Sequence, residues 1–225
     1  MSQTYQMVTL KLRHNYFKNY VYIIIDNETR YGAIIDPAWE LDEIEKTIAK
    51  YQIELKSILL THAHYDHINL VNPLVDKYDT DVYISTVESE CFGFTCGNQI
   101  KISDNQILQL GNTSIKCMLT PGHTLGSTCF LCEKHIFTGD TLFSEGCGLC
   151  TSYSGSAEKM YHSIQKIKKE IPGNIRVYPA HSYGLKPGHK LDYLKYNNVY
   201  LMIDDKKIFM DYRMRKNQKN LLDFC

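Results

Sequence analysis

Leu60-Thr61-His62-Ala63-His64-Tyr65-Asp66-His67 places three imidazoles and a carboxylate within six residues, directly after the apolar run Ser57-Ile58-Leu59-Leu60. The run reads as a short buried strand, and Ile68 to Tyr78 carries apolar residues at helical spacing, so the cluster falls on a strand-to-helix turn. His62 and His64 stand two apart and lean the same way at a strand end, while Asp66 and His67 sit on the tightening turn. The four groups can therefore converge on one point. Neutral imidazoles with a carboxylate suit zinc, manganese or iron, and zinc is the default for a nitrogen-rich set.

A polar surface turn with scattered histidines would leave other strand ends without such residues. Instead His123 follows Thr120-Pro121-Gly122, Asp140 follows Ile136-Phe137-Thr138-Gly139, and His181 follows Val177-Tyr178-Pro179-Ala180. Each comes after an apolar run, where a strand gives way to a turn. In order and local context these residues resemble the metal-binding pattern of the metallo-β-lactamase superfamily.

Length and composition set the frame. A chain of 225 residues can bury one α/β core and is short for two domains, so residues 1–225 read as one domain. The 25 basic and 25 acidic residues balance, which gives no global field for nucleic acid or an anionic membrane. Met1-Ser2-Gln3-Thr4 does not open an export signal and no run approaches membrane-spanning length, so a soluble cytoplasmic protein is expected. The pairs Cys129-x-x-Cys132 and Cys147-x-x-Cys150 superficially resemble a four-thiolate zinc site. Within the apparent strand Ser127 to Cys132, however, residues three apart face opposite ways, and reduced cysteines packed as small apolar groups are the expectation.

Val8 to Leu12, Tyr20 to Ile25 and Gly32 to Ile35 predict an antiparallel meander closed by Asp36-Pro37, and Leu41, Ile44, Ile48 and Tyr51 predict a helix. Asp81 to Ser85 reads as a strand and Glu88 to Cys91 as a short polar helix or turn. Ile107 to Leu110 and Thr113 to Leu119 predict a hairpin at Gly111-Asn112, and Ser127 to Cys132 with His135 to Thr138 a further pair. Ala157 to Ile171 predicts an amphipathic helix with Ser156 as N-cap, followed by a strand at Arg176 to Tyr178 and a helix from Lys206 to Met214. His135 and His162 have no motif around them and are assigned to surface or packing roles. Two β-rich halves, each backed by helices, make an α/β fold. In the superfamily this is the four-layer αββα sandwich.

Gly139-Asp140-Thr141-Leu142-Phe143, Gly146-Cys147-Gly148 and Asn198-Val199-Tyr200-Leu201 resemble the glyoxalase-II-like branch. The resemblance implies that His62, His64 and His123 hold one metal, that Asp66, His67 and His181 hold a second, and that Asp140 bridges them. It implies two Zn2+ per chain, with iron or manganese as alternatives, and a role for Asp36 in supporting ligands through hydrogen bonds. It further implies hydrolysis by a hydroxide that bridges the metals, with Asp66 orienting it, and a thioester suits such a site because thiolate leaves readily.

Three departures from that branch stand out. Ile68-Asn69-Leu70 replaces a Gly-Gly turn, and Leu149 stands where a basic residue commonly helps hold glutathione. The short continuation after His181 lacks most of the helical domain that completes the glutathione site there. Asp36-Pro37-Ala38-Trp39-Glu40, Asp66-His67-Ile68-Asn69-Leu70-Val71 and Pro179-Ala180-His181-Ser182-Tyr183-Gly184 instead resemble the zinc-dependent hydrolases of bacillaene-type trans-acyltransferase polyketide biosynthesis. That resemblance implies a thioesterase whose acyl group rides on the phosphopantetheine of an acyl carrier protein. Trp39, Tyr65, Leu149 and Tyr183 become candidates for the pocket wall. The basic tail with Lys206, Lys207, Arg213, Arg215, Lys216 and Lys219 offers carrier docking, centred on Arg213, Arg215 and Lys216. A glyoxalase-II-type hydrolase of small-thiol thioesters and a mono-iron persulfide dioxygenase are the competing readings.

Overall fold

The computed structural model describes residues 3–218 and 224. A first sheet runs β1 (Tyr5–His14), β2 (Phe17–Asp26), β3 (Tyr31–Ile35), β4 (Glu54–Leu59), β5 (Asp81–Ser85) and β6 (Gln99–Ile102), hydrogen-bonded in that order. Its helices are α1 (Leu41–Lys50), α2 (Tyr65–Ile68), α3 (Val71–Tyr78) and α4 (Thr86–Phe92). The second sheet is built from β7 (Ile107–Leu110), β8 (Thr113–Leu119), β9 (Thr128–Cys132), β10 (His135–Gly139), β11 (Arg176–Pro179) and β12 (His189–Lys190). Helices α5 (Ala157–Glu170), α6 (Leu191–Asn197), α7 (Val199–Met202) and α8 (Lys206–Arg213) belong to this half.

The side-chain alternation of β2 accounts for the layering. Val21, Ile23 and Ile25 pack with Ile44, Ile48 and Leu74 of the helices, while Tyr20, Tyr22 and Ile24 pack with Phe130 and Phe137 of the other sheet. A strand buried on both faces must be apolar at every position, and Tyr-Val-Tyr-Ile-Ile-Ile is. In the second sheet Cys129 faces Met160, Ile164 and Ile167 of α5, whereas Cys132 faces the space between the sheets. The two cysteines therefore part company as their spacing predicts, and all cysteines among the described residues are free. Three apolar layers separated by two sheets are the αββα sandwich.

Strand direction brings the functional loops to one edge. β3 and β4 run parallel, so the turns after Ile35 and Leu59 emerge together; β10 and β11 also run parallel, so those after Gly139 and Pro179 do too. The β8–β9 connection opens on the same side, because β8 and β10 both pair antiparallel with β9. Cross-sheet hydrogen bonds join the two edges: Thr128 N–H donates to Thr61 O (2.9 Å), and Tyr20 N–H to Ala180 O (2.7 Å).

The helical run after the metal-type cluster is broken where continuity is predicted. Pro73 has no N–H to bond back to Asn69, so a one-turn α2 carries Asp66 and His67 and α3 starts afresh at Val71. Ser156 caps α5 as expected, accepting from Lys159 N (3.2 Å). Strands β6 and β12 and helices α6 and α7 are too short to show a period in the sequence. No helix among the described residues is long and apolar enough to cross a membrane.

Candidate metal centre

Three groups of donors converge at the common edge: His62, His64 and His123; Asp66, His67 and His181; and His62, His67 and Asp140, the donor atoms of each lying within 4.8 Å of one another. In the first, His64 Nδ1 is 3.1 Å from His62 Nε2 and 3.0 Å from His123 Nε2. In the second, Asp66 Oδ2 is 3.5 Å from His67 Nε2 and 3.3 Å from His181 Nε2. Asp140 stands between them. Its Oδ1 lies 3.6 Å from His67 Nε2 and 3.5 Å from His181 Nε2, and its Oδ2 lies 3.5 Å from His123 Nε2.

The far nitrogen of each ring shows why the near one points inward. His67 Nδ1–H donates to Asp36 Oδ2 (2.9 Å), His123 Nδ1–H to Leu149 O (2.7 Å) and His181 Nδ1–H to Lys18 O (2.7 Å). Thr61 Oγ1 donates to Asp36 Oδ2 (2.6 Å), so at 3.0 Å it is left to accept from His62 Nδ1–H. Four rings thereby present Nε2; His64 alone presents Nδ1. Asp36 Oδ1 also accepts from Thr61 N–H (2.8 Å), and Asp36 adopts φ +50°, a left-handed backbone held by these bonds.

Electrostatics separate the two groups. Burial, reinforced by neighbouring imidazoles, pushes His62 well below the usual histidine range and His64 down to about 4. Burial opposes protonation of His67 as well, but Asp66, Asp36 and Asp140 outweigh it and pull the ring up to about 10. Burial likewise pushes Asp66 up, and His67 and His181 more than offset it, holding the carboxylate far below its ordinary range. Neutral imidazoles on one side and surplus carboxylate on the other are a donor set that calls for cations. Two atoms make the demand specific: His67 Nε2 and Asp140 Oδ1 are buried without a hydrogen-bond partner, though a buried polar atom left unpaired costs about 1–3 kcal/mol. The residues fit two zinc ions.

Residues 16–90 match the profile of the "Metallo-beta-lactamase superfamily". Over its whole length the chain is 46% identical to the "Probable polyketide biosynthesis zinc-dependent hydrolase PksB" of Bacillus subtilis (strain 168), covering 100% of each. The chain belongs to the metallo-beta-lactamase superfamily. A hydroxyacylglutathione hydrolase of Pseudoalteromonas translucida (strain TAC 125) is 34% identical over 79% of this chain and 66% of its own. Among solved structures of this superfamily fold, ETHE1 from Myxococcus xanthus superposes with a TM-score of 0.84 at 26% identity, covering 96% of this chain and 95% of that one. A metallo-beta-lactamase fold with zinc-dependent relatives and these His/Asp clusters has a two-zinc site.

Other predicted positions divide. Leu149 and Tyr183 line the pocket beside the centre, together with Phe17, Phe143, Ser152 and Phe224. Trp39 and Tyr65 do not. Trp39 stacks on His14 (5.1 Å), and Tyr65 is 72% exposed on the outer face of α2. Trp39 instead donates from Nε1 to Asn19 Oδ1 (2.7 Å), and Asn19 Nδ2–H donates to Asp66 O (2.8 Å), so it acts on the ligand at one remove. Arg213 is not a docking cation: it is 4% exposed, and its Nη1 donates to the Tyr200 hydroxyl (2.9 Å). Tyr200 and Phe209 bury the base of α8, and that burial takes Arg213 with it. Lys206 pairs with Glu158 (2.8 Å), Arg215 and Lys216 are exposed, and Lys219 lies outside the described residues.

Glu88 was not singled out by any motif, yet it ties two ligand turns together. Its Oε1 accepts from Ala63 N–H (2.9 Å), between His62 and His64; its Oε2 accepts from Thr124 Oγ1 (2.8 Å) and Gly126 N–H (2.9 Å), next to His123. The carboxylate is fully buried, and burial raises its pKa despite those donors. Gly126 is required here, because a Cβ would come within 2.3 Å of Glu88 N.

Proposed function

We propose that this metal-dependent hydrolase cleaves acyl thioesters, with the acyl group carried on the phosphopantetheine of an acyl carrier protein in polyketide biosynthesis. The observation that carries the reading is Asp140, whose two oxygens face two complete ligand triads in a chain alike end to end to a zinc-dependent polyketide hydrolase.

His62, His64 and His123 would hold one zinc, and Asp66, His67 and His181 the other, with Asp140 shared. Bound there, the metals supply Lewis acidity towards a carbonyl oxygen and lower the pKa of water to about 7. The chain does the rest. Asp66, kept ionised by His67 and His181 and fixed through Asn19, offers a carboxylate oxygen that orients the attacking water. Asp36 and the Leu149 and Lys18 carbonyls hold the imidazoles still. Attack forms the new C–O bond as the water sheds a proton, the C–S bond breaks with its electron pair leaving on sulfur, and the thiolate takes up that proton to give acid and thiol. A thiol pKa near 8.5 makes thiolate an adequate leaving group, so no strong general acid is required. None is needed from the apolar wall formed by Phe143 and Leu149.

Leu149 bears on the substrate too. An isobutyl group in the pocket wall offers no partner to a glutathione carboxylate, which favours a carrier-borne acyl group. Arg215 and Lys216 provide exposed cations for an acidic carrier.

The test is thiol release from one acyl group presented on a carrier protein, on pantetheine and on glutathione, each with and without chelator. Chelator-sensitive release favouring the carrier is expected. Preference for glutathione would replace the carrier reading, and oxygen consumption without thioester cleavage would replace hydrolysis.

A further inference from the structure

One wall of the pocket comes from the end of the chain. Phe224 lies outside any helix or strand, is 8% exposed, and lies flat against the ligand-bearing ring of His181, with centroids 4.0 Å apart and planes at 15°. Its ring also meets Tyr183 at 5.3 Å, and Phe143 meets Tyr183 at 5.6 Å. With Leu149, and with Phe17 at 38% exposure, these rings face the donor atoms across a cavity of about 280 Å³.

The composition of this wall selects a ligand. Phe17, Phe143, Leu149 and Phe224 present hydrocarbon, the hydroxyls of Tyr183, Thr151 and Ser152 being the polar groups on the rest of the lining, and this apolar face stands directly beside the carbonyl-activating centre, where the group attached to that carbonyl can lie. We infer that Phe224 is a specificity-determining residue: it closes an apolar subsite for the acyl group of an S-acyl substrate and limits the chain length accepted. The chemical class of the ligand rests on the thioesterase reading above.

Phe224 is a wall residue whose ring can be cut back without touching the hydrogen bonds that hold the donor imidazoles, which run to Asp36, Thr61 and the Leu149 and Lys18 carbonyls. Phe224 contributes a ring to the pocket and no hydrogen bond to a ligand.

The experiment compares wild-type protein, Phe224→Leu and Phe224→Ala, all zinc-loaded, on straight-chain S-acyl pantetheines from acetyl to decanoyl. Zinc stoichiometry is measured alongside kcat and KM, and calorimetry follows the binding of non-hydrolysable thioether analogues of the same chains. Phe224→Ala should shift the preferred chain by several carbons and raise KM for the shortest acyl groups about 10-fold. Phe224→Leu should fall between, and zinc content should stay at the wild-type level. A loss by the same factor at every length, or loss of zinc, would mean that Phe224 only braces His181 and would overturn the subsite; an unchanged length profile would overturn it as well. If even the wild type releases no thiol, the thioesterase reading falls. The subsite then stands if analogue binding shows a length preference that Phe224→Ala shifts, and falls if binding is absent or indifferent to length.

Discussion

The two halves of the sandwich deliver the proposed metal ligands in different ways. The first half contributes His62, His64, Asp66 and His67 from one strand-to-helix turn, oriented by side chains: Asp36, Thr61, Asn19 and Glu88. The second contributes His123, Asp140 and His181 singly from three strand ends, and its two histidines are held by the backbone carbonyls of Leu149 and Lys18. A turn held by side chains can be loosened by one substitution that spares every ligand. A ligand held by a carbonyl is indifferent to the side chain next to it and depends on where the strand ends.

The sharpest break falls on the residue that joins the halves. Asp140→Ala should remove the group facing both triads, taking turnover to background and bound zinc below two per chain; His123→Ala should do the same to the first triad alone. Retention of two zinc ions at the wild-type rate in either variant would contradict the site, as metal analysis with a thiol-release assay would show.

Next in size is the contrast itself. Asp36→Ala should weaken zinc binding or activity about 10- to 100-fold, because His67 and Thr61 lose their common acceptor. Lys18→Ala keeps the carbonyl that fixes His181 and should change zinc affinity far less. Equal losses in a competitive chelator titration would erase the distinction between side-chain and backbone support.

Glu88→Gln should be smaller still at the metal and clearest in stability. It sets an amide donor against donors that now find a carboxylate, at a cost of about 1–3 kcal/mol in denaturant melts. A wild-type melting profile would mean that the two ligand turns do not need this link. The smallest effect belongs to the surface. Neutralising Arg215 and Lys216 together should raise KM for a carrier-borne substrate a few-fold, fading with added salt, and act much less on a pantetheine thioester. Equal effects on both would remove these residues from docking.

What could be read beforehand follows the same division. The consecutive cluster was legible because the spacing of His62, His64, Asp66 and His67 within one turn is a local property. The separate donors that converge with it were legible because each ends an apolar run with a turn-forming neighbour, as Pro121 and Gly122 do before His123. Asp36 was legible through resemblance. Trp39 and Tyr65 were misplaced because being near a ligand in the chain does not say which face of the turn a ring takes: Tyr65 points to solvent, and Trp39 backs onto His14. Glu88 looked like any polar helix residue, since the three donors it serves lie 25 to 38 residues away.

The sequence alone determined two β-rich halves backed by helices and the donor types that cluster at strand ends, because apolar periodicity and the spacing of donors around a turn are set by neighbouring residues; the αββα order of the layers was legible through resemblance. Only the tertiary structure decided which residues share the pocket. Arg213 reads as a surface cation until Tyr200 and Phe209 are seen to bury it, and no motif or spacing marks Phe224, which the fold sets on His181. Burial and stacking are set by contacts between segments distant in the chain, and no local pattern encodes them.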